Sequence, residues 1–241
     1  MTDKRRVLLT GAAGRIGTAF RKHAGDRYTF RLADIKPVLD PDGHEVLTCD
    51  LADPEAARLA CDGMQTVIHL AANPHTTAEF YKDLLEPNFK ATYNMYRAAK
   101  DSGCERLIFA SSVNAVGAYP HERQVRESDA PCPGNVYGAS KAFGESLGAY
   151  FAYGNEKLSN ISIRIGAVGD PKNLPADTPD FVRAIYISFR DLCHLLDRCV
   201  ETPDIAYAVI HGVSNNRHNW LSLTETSRLL DYHPQDDTFN P

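Results

Sequence analysis

Short apolar runs alternate with stretches of helical periodicity along most of this chain. Val7-Leu8-Leu9-Thr10 is a run of strand length, and Thr18-Ala19-Phe20-Arg21-Lys22 begins an amphipathic helix behind it. Further strands are predicted over Tyr28–Ala33, ending on Asp34, over Glu45–Cys49, and over Gln65–Ala72. Others follow over Glu105–Ala110, running out into Ser111-Ser112, over Ile161–Ile165, and last over Asp204–Ile210. Asp53 and Pro54 read as the N-cap and first residue of a helix. Helical spacing recurs from Thr77 to Ser102, where Pro87 should kink or restart the helix, and from Tyr137 to Tyr153. This alternation predicts βαβ units and an α/β fold with a doubly wound parallel sheet. One domain is expected over residues 1–241, with segments of about 167–186 and about 213–241 left to cover a substrate.

Between the first strand and the first helix stand Gly11-Ala12-Ala13-Gly14-Arg15-Ile16-Gly17. The spacing is G-x-x-G-x-x-G rather than the G-x-G-x-x-G of the dinucleotide fingerprint. Backbone N–H groups in such a turn lack partners and the helix dipole adds positive charge, so a pyrophosphate is the natural occupant. A Cβ would obstruct both the turn and the approach of the phosphates. Asp34 ends the second strand roughly 20 residues after the first glycine, where a carboxylate meets the adenosine ribose 2′-OH. It would repel a 2′-phosphate, so the predicted cofactor is NAD; Arg15 and Lys36 are the nearby cations that would argue for NADP.

Composition narrows the class without naming the chemistry. Of the residues, 43% are hydrophobic and 24% charged, ordinary for a globular protein. A net charge of -5 gives no footprint for nucleic acid or an anionic membrane. No apolar run approaches a membrane span and no signal peptide is evident, so a cytoplasmic protein is expected. The 6 cysteines include no C-x-x-C pair and the 9 histidines are scattered, so no metal site is predicted.

In open α/β sheets ligands bind beyond the carboxyl ends of the strands. That gathers Gly11–Gly17, Ala71–His75, Ser111–Asn114 and Gly166–Asp170 around one crevice. Tyr137-Gly138-Ala139-Ser140-Lys141 puts a phenol and an ammonium one turn apart on one helix face. A free phenol titrates near pH 10, and neighbouring positive charge favours its ionised form. Tyr137 is thus a candidate base, with Ser112 to hold the reacting oxygen and Lys141 to bridge the nicotinamide ribose and tune the phenol. His75, Thr76 and Thr77 follow the Ala71-Ala72 strand end as candidate sugar contacts, or as an idle solvated loop. Trp220 reads as a core or interface residue at least as well as a sugar platform. Gly138, Gly144 and Gly148 within one helix point to a close packing contact, inside the chain or with a second copy.

The ordered set Thr10-Gly11-Ala12-Ala13-Gly14-Arg15-Ile16-Gly17, Asp34, Ser112 and Tyr137-x-x-x-Lys141 resembles the short-chain dehydrogenase/reductase superfamily, in its extended branch of sugar-modifying enzymes. The resemblance implies that Asp50-Leu51 flank the adenine, that Ala71-Ala72 pass beneath the cofactor, and that Ile165-Gly166 approach the nicotinamide. It implies that Asn88 supports a water relay and that Ser112, Tyr137 and Lys141 are the catalytic trio. Within the branch, Phe109-Ala110-Ser111-Ser112, Arg164-Ile165-Gly166, Asn219-Trp220 and the tail Leu230–Asp236 look most like uronate dehydrogenases and related NAD-dependent aldose dehydrogenases. Such enzymes oxidise the anomeric carbon of a free sugar to a lactone. The chain departs from the uronate pattern at Val113-Asn114, candidate substrate contacts, and at Ala167, where those enzymes carry a serine. Arg183 is the nearest counterpart of the arginine that grips the substrate carboxylate, with Arg190 behind it. The resemblance also implies a homodimer through the Thr77–Ser102 and Tyr137–Tyr153 helices. Two other readings stand beside it: an NDP-sugar epimerase or dehydratase with tightly held NAD, and a dinucleotide-binding regulator without turnover.

Overall fold

The computed structural model describes residues 4–154 and 158–240. Seven parallel strands form the main sheet in the order β3-β2-β1-β4-β5-β6-β9. They are β1 (Arg6–Thr10), β2 (Thr29–Asp34), β3 (Glu45–Thr48), β4 (Thr66–His69), β5 (Arg106–Ser112), β6 (Ser159–Ile165) and β9 (Tyr207–Gly212). Strand order reverses between β1 and β4, and a ligand crevice opens there.

Alternate residues of each strand feed two cores, as a period of two requires. Val7, Leu9, Phe30, Leu32, Ile68, Ile108, Ile163 and Ile210 face one side, covered by α1 (Arg15–Ala24) and α6 (Phe189–Glu201). Leu8, Val67, Leu107 and Phe109 face the other, covered by α2 (Pro54–Cys61), α3 (Ala91–Asp101) and α4 (Val136–Tyr153). No helix among the described residues is long and apolar enough to cross a membrane.

Several expectations are redrawn. The last strand begins at Tyr207 because Asp204 takes a left-handed backbone (φ 57°), a turn conformation that cannot continue a strand. β4 stops at His69, which releases Leu70–Ala72 to line the crevice. The helix does not restart at Pro87: Phe80–Lys90 is wound with π spacing through it and passes directly into α3. The wider turns tolerate a residue with no N–H to give. Two short strands not foreseen, β7 (Ala167–Gly169) and β8 (Tyr186–Ser188), pair in parallel beside the crevice, with α5 (Asp180–Ala184) between them.

The small residues of α4 serve packing within the chain. A Cβ on Gly144 would overlap the Phe109 ring, one on Gly148 the Asn160 side chain, and one on Gly138 the Asn114 backbone. The helix therefore lies unusually close to β5 and β6. Trp220 is also core, 4% exposed, with its ring 5.3 Å from that of Phe181 and its Nε1 donating to Pro120 O (3.2 Å). Of the two segments expected to cover a substrate, Ala167, Val168 and Ile185 line the crevice, but none of the lining residues comes from 213–241. That tail, which includes α7 (Thr224–Leu230), inserts Leu230 and Tyr232 into the core beside α6. The buried Asp191 carboxylate holds its far end by accepting from Gln235 N (2.9 Å) and Asp236 N (3.0 Å).

Candidate active site

The crevice has a volume of about 980 Å³ and runs from Asp34 and Asp50 at one end to Asn114, Tyr137 and Ile185 at the other. At the first end the backbone does the shaping. Gly11 has φ +68°, and a Cβ there would come 2.8 Å from Ala71 N. A Cβ on Gly17 would lie 2.5 Å from Gly11 O, so α1 reaches the loop only because that atom is missing. Gly14 is the N-cap and no side chain caps the helix, nor does an acidic residue occupy its first turn. The first-turn N–H groups of α1 have no partner within the helix, and Ala13, Gly14, Arg15 and Ile16 line the crevice there. Arg15 also donates to Val168 O (3.2 Å), fastening this loop to β7.

Asp34 stands where the sequence places it. Its carboxylate accepts from Ala13 N and from Lys36 N, both at 2.9 Å, which fixes it at the lip of the crevice. Asp50 and Leu51 line the same end, and Leu51 O accepts from Asn94 Nδ2 (3.1 Å). Ala71 and Ala72 form the floor. These features fit a dinucleotide: bare amides for the phosphates, an oriented carboxylate for ribose hydroxyls, and small residues where the chain must pass close beneath.

At the other end side chains hold one another. Ser112 ends β5 and accepts from Asn114 N (3.1 Å) and Asn114 Nδ2 (3.2 Å). Asn114 Oδ1 accepts in turn from Asn135 Nδ2 (2.9 Å), and Asn135 Oδ1 caps α4 at Gly138 N (2.8 Å). Asn135 thus ties the start of the helix bearing Tyr137 to the residue that orients Ser112. The sequence reading missed it, although an asparagine just before a helix is an N-cap signal. Burial raises the Tyr137 pKa, and the Ser112 hydroxyl near the phenol lowers it. The Lys141 ammonium lies 5.6 Å from the Tyr137 ring centroid and 5.0 Å from that of Phe109. Burial lowers the Lys141 pKa to about 7.

Asn88 is buried behind the trio rather than within it. Its Nδ2 donates to Ser140 Oγ (3.0 Å) and Asn73 O (3.1 Å), while its Oδ1 accepts from Asn73 N (2.8 Å). It therefore joins α4 to the loop that carries His75. A second unforeseen residue, His69, lies beneath the floor: Thr10 Oγ1 bonds its Nδ1 (2.8 Å) and accepts from Ala71 N (3.2 Å). Burial, and then the Lys141 charge, lower its pKa to about 3, so it is neutral.

The structure does not gather every expected substrate contact. His75, Val113 and Asn114 line the crevice, together with Ile165, Gly166 and Ala167, whereas Thr76 lies outside it. Asn114 spends both ends of its amide on Ser112 and Asn135. Arg183 is not brought to the crevice: its guanidinium donates to Thr178 O, Thr238 O, Pro175 O and Ala176 O at 2.6–3.3 Å. It clamps the tail onto α5 instead. Arg190 pairs with Asp236 at the surface. Among the described residues no cluster of side chains could hold a metal ion.

Comparison with known proteins agrees with this geometry. The profile of the NAD dependent epimerase/dehydratase family matches residues 7–188. The NAD-dependent glucose-6-phosphate dehydrogenase of Haloferax volcanii is 37% identical, over 96% of this chain and 94% of its own. The uronate dehydrogenase of Pseudomonas putida is 32% identical, over 98% of this chain and 86% of its own. The solved uronate dehydrogenase of Agrobacterium tumefaciens, a tyrosine-to-alanine variant complexed with NAD, superposes with a TM-score of 0.86 at 29% identity, covering 99% of this chain and 87% of that one.

Proposed function

The chain belongs to the NAD dependent epimerase/dehydratase family, and on that premise we propose that it is an NAD-dependent sugar dehydrogenase. It oxidises the anomeric carbon of a free sugar or sugar acid to a lactone. The observation that carries this reading is the buried Tyr137–Lys141 pair, with Ser112 beside it, at the end of a crevice shaped for a dinucleotide.

NAD, when bound, supplies the hydride acceptor. The rest falls to the chain. Gly11–Gly17 hold the pyrophosphate by main-chain N–H groups, and Asp34 takes the adenosine ribose. Ser112 Oγ orients the anomeric hydroxyl toward Tyr137, and the Tyr137 oxygen accepts its proton. In isolation burial disfavours charge on both Tyr137 and Lys141, yet a phenolate and an ammonium side by side compensate each other. Asn88 keeps α4 and the Asn73–His75 loop in register, and the crevice walls at Ala167, Val168 and Ile185 keep water from the reacting carbon.

The test is NAD reduction by the purified protein across free uronic acids, neutral aldoses and sugar phosphates, with NADP in parallel. Turnover on one class is expected. Silence across the panel with NAD bound would refute the reading and favour an NDP-sugar enzyme or a regulator.

The protein acts in the cytoplasm as a homodimer. The contact lies on the outer side of the Phe80–Asp101 helices and α4, where Tyr93 and Tyr150 are 47% and 57% exposed. A Tyr93→Asp, Tyr150→Asp double variant should halve the mass in solution, and a monomeric wild type would dispose of the contact.

A further inference from the structure

The face of the sheet under α4 carries a charged group that the chemistry above does not use. β5 and β6 pair with Ser111 beside Arg164, and both side chains point toward the helix. Above them is Glu145, one turn beyond Lys141 and two beyond Tyr137 on the same helix. Its Oε1 accepts from Ser111 Oγ (2.6 Å) and Arg164 Nε (3.0 Å), and its Oε2 accepts from Arg164 Nη2 (2.9 Å). Both members of the ion pair are sealed from solvent, at 3% and 2% side-chain exposure. Arg164 Nη1 donates onward to Asp129 O (3.1 Å), and the Tyr207 hydroxyl donates to Glu145 O (3.2 Å). The next strand places His211 beside Arg164, and it is neutral because burial and the Arg164 charge lower its pKa to about 3.

A buried pair of this kind adds little stability over apolar residues of the same size, because desolvation offsets the attraction. What it adds is direction. Successive strand residues point to opposite faces, so a bond that pulls Ser111 toward α4 also sets the aim of Ser112 into the crevice. The helix that receives the bond is the one that carries Tyr137. Gly144 and Gly148 allow the close approach that makes the 2.6 Å bond reachable.

We infer that Ser111 and Glu145, backed by Arg164, are positioning residues that set the placement of Ser112 against Tyr137 from behind the sheet. The inference rests on the roles proposed above for Ser112 and Tyr137. Ser111→Ala removes one hydroxyl and leaves the ion pair intact. Its kcat should fall roughly ten-fold while NAD affinity and thermal midpoint hold, the pattern of misplaced reacting groups. Because the nearby Ser112 hydroxyl lowers the phenol pKa, ionisation of Tyr137 should move to higher pH, and Ser111→Thr should restore both properties.

The phenol is followed by ultraviolet difference titration of the NAD complex, taking as its signal the absorbance lost in Tyr137→Phe. This needs no substrate, so it stands apart from the sugar panel. A wild type idle on every sugar counts against the proposed function, whereas a Ser111→Ala protein whose Tyr137 titrates like the wild type overturns the positioning inference.

Discussion

At the nucleotide end of the crevice the protein presents main chain, and at the chemical end it presents side chains held by other side chains. The first end is nearly continuous in sequence: Gly11 to Gly17 and then Asp34, whose carboxylate is fixed by two N–H groups of neighbouring turns. The second joins the end of β5, the start of α4 and the loop after β4 through Asn135, Asn114 and Asn88. A main-chain cradle needs only the right backbone conformation, so few residues specify it. A trio of side chains needs every supporting contact, so its determinants are scattered over the fold.

Variants that strike one end alone are the sharpest probes of this contrast. Tyr137→Phe should lower kcat by about 10²–10⁴-fold, the span of a lost general base, with NAD affinity retained in equilibrium titration. Loss of NAD binding in a folded Tyr137→Phe protein would merge the two ends into one.

Lys141 reads the cost of the chemical end in stability. Its pKa is about 7 in the folded protein and about 10.4 in an unfolded chain, so between those values the unfolded state binds more protons. The cost is full below about pH 7 and fades as pH rises toward about 10. Cofactor-free Lys141→Met should therefore be more stable than wild type at pH 7, by up to about 4 kcal/mol, and the gap in urea midpoints should close at high pH. A gap that stays constant with pH would mean that Lys141 is not held neutral by burial.

Gly17→Ala should do the converse of Tyr137→Phe. The new Cβ, 2.5 Å from Gly11 O, must push α1 away from the loop, at about 1–3 kcal/mol, and NAD affinity should fall at least about ten-fold. Normal turnover at saturating NAD would sharpen the division between the ends. The smallest effect is expected from Arg183→Ala. Its carbonyl partners are structural, so the thermal midpoint should drop while KM for any active sugar acid changes less than about two-fold. A large rise in KM confined to sugar acids would return Arg183 to the substrate.

The nucleotide end was legible because its signals are local. A strand, a glycine turn and a helix start within one stretch of chain, and Asp34 sits at a countable distance beyond. Tyr137 and Lys141 were legible for the same reason, as neighbours on one helical turn. Arg183 and Thr76 were placed by their position in the chain, yet backbone carbonyls claim the one and the other does not line the crevice. The glycines of α4 announced a close contact, but only the structure shows that Phe109, Asn160 and Asn114 are its other side.

The sequence by itself determined the parallel sheet and the dinucleotide cradle, because period, turn chemistry and missing side chains act over a few residues. Only the tertiary structure decided which polar residues reach one another. Asn135 meets Asn114 across 21 positions, Asn88 meets Ser140 across 52, and Ser111 meets Glu145 across 34. Such pairs leave no periodic trace in the chain, since a hydrogen bond depends on distance in space and not on spacing along it.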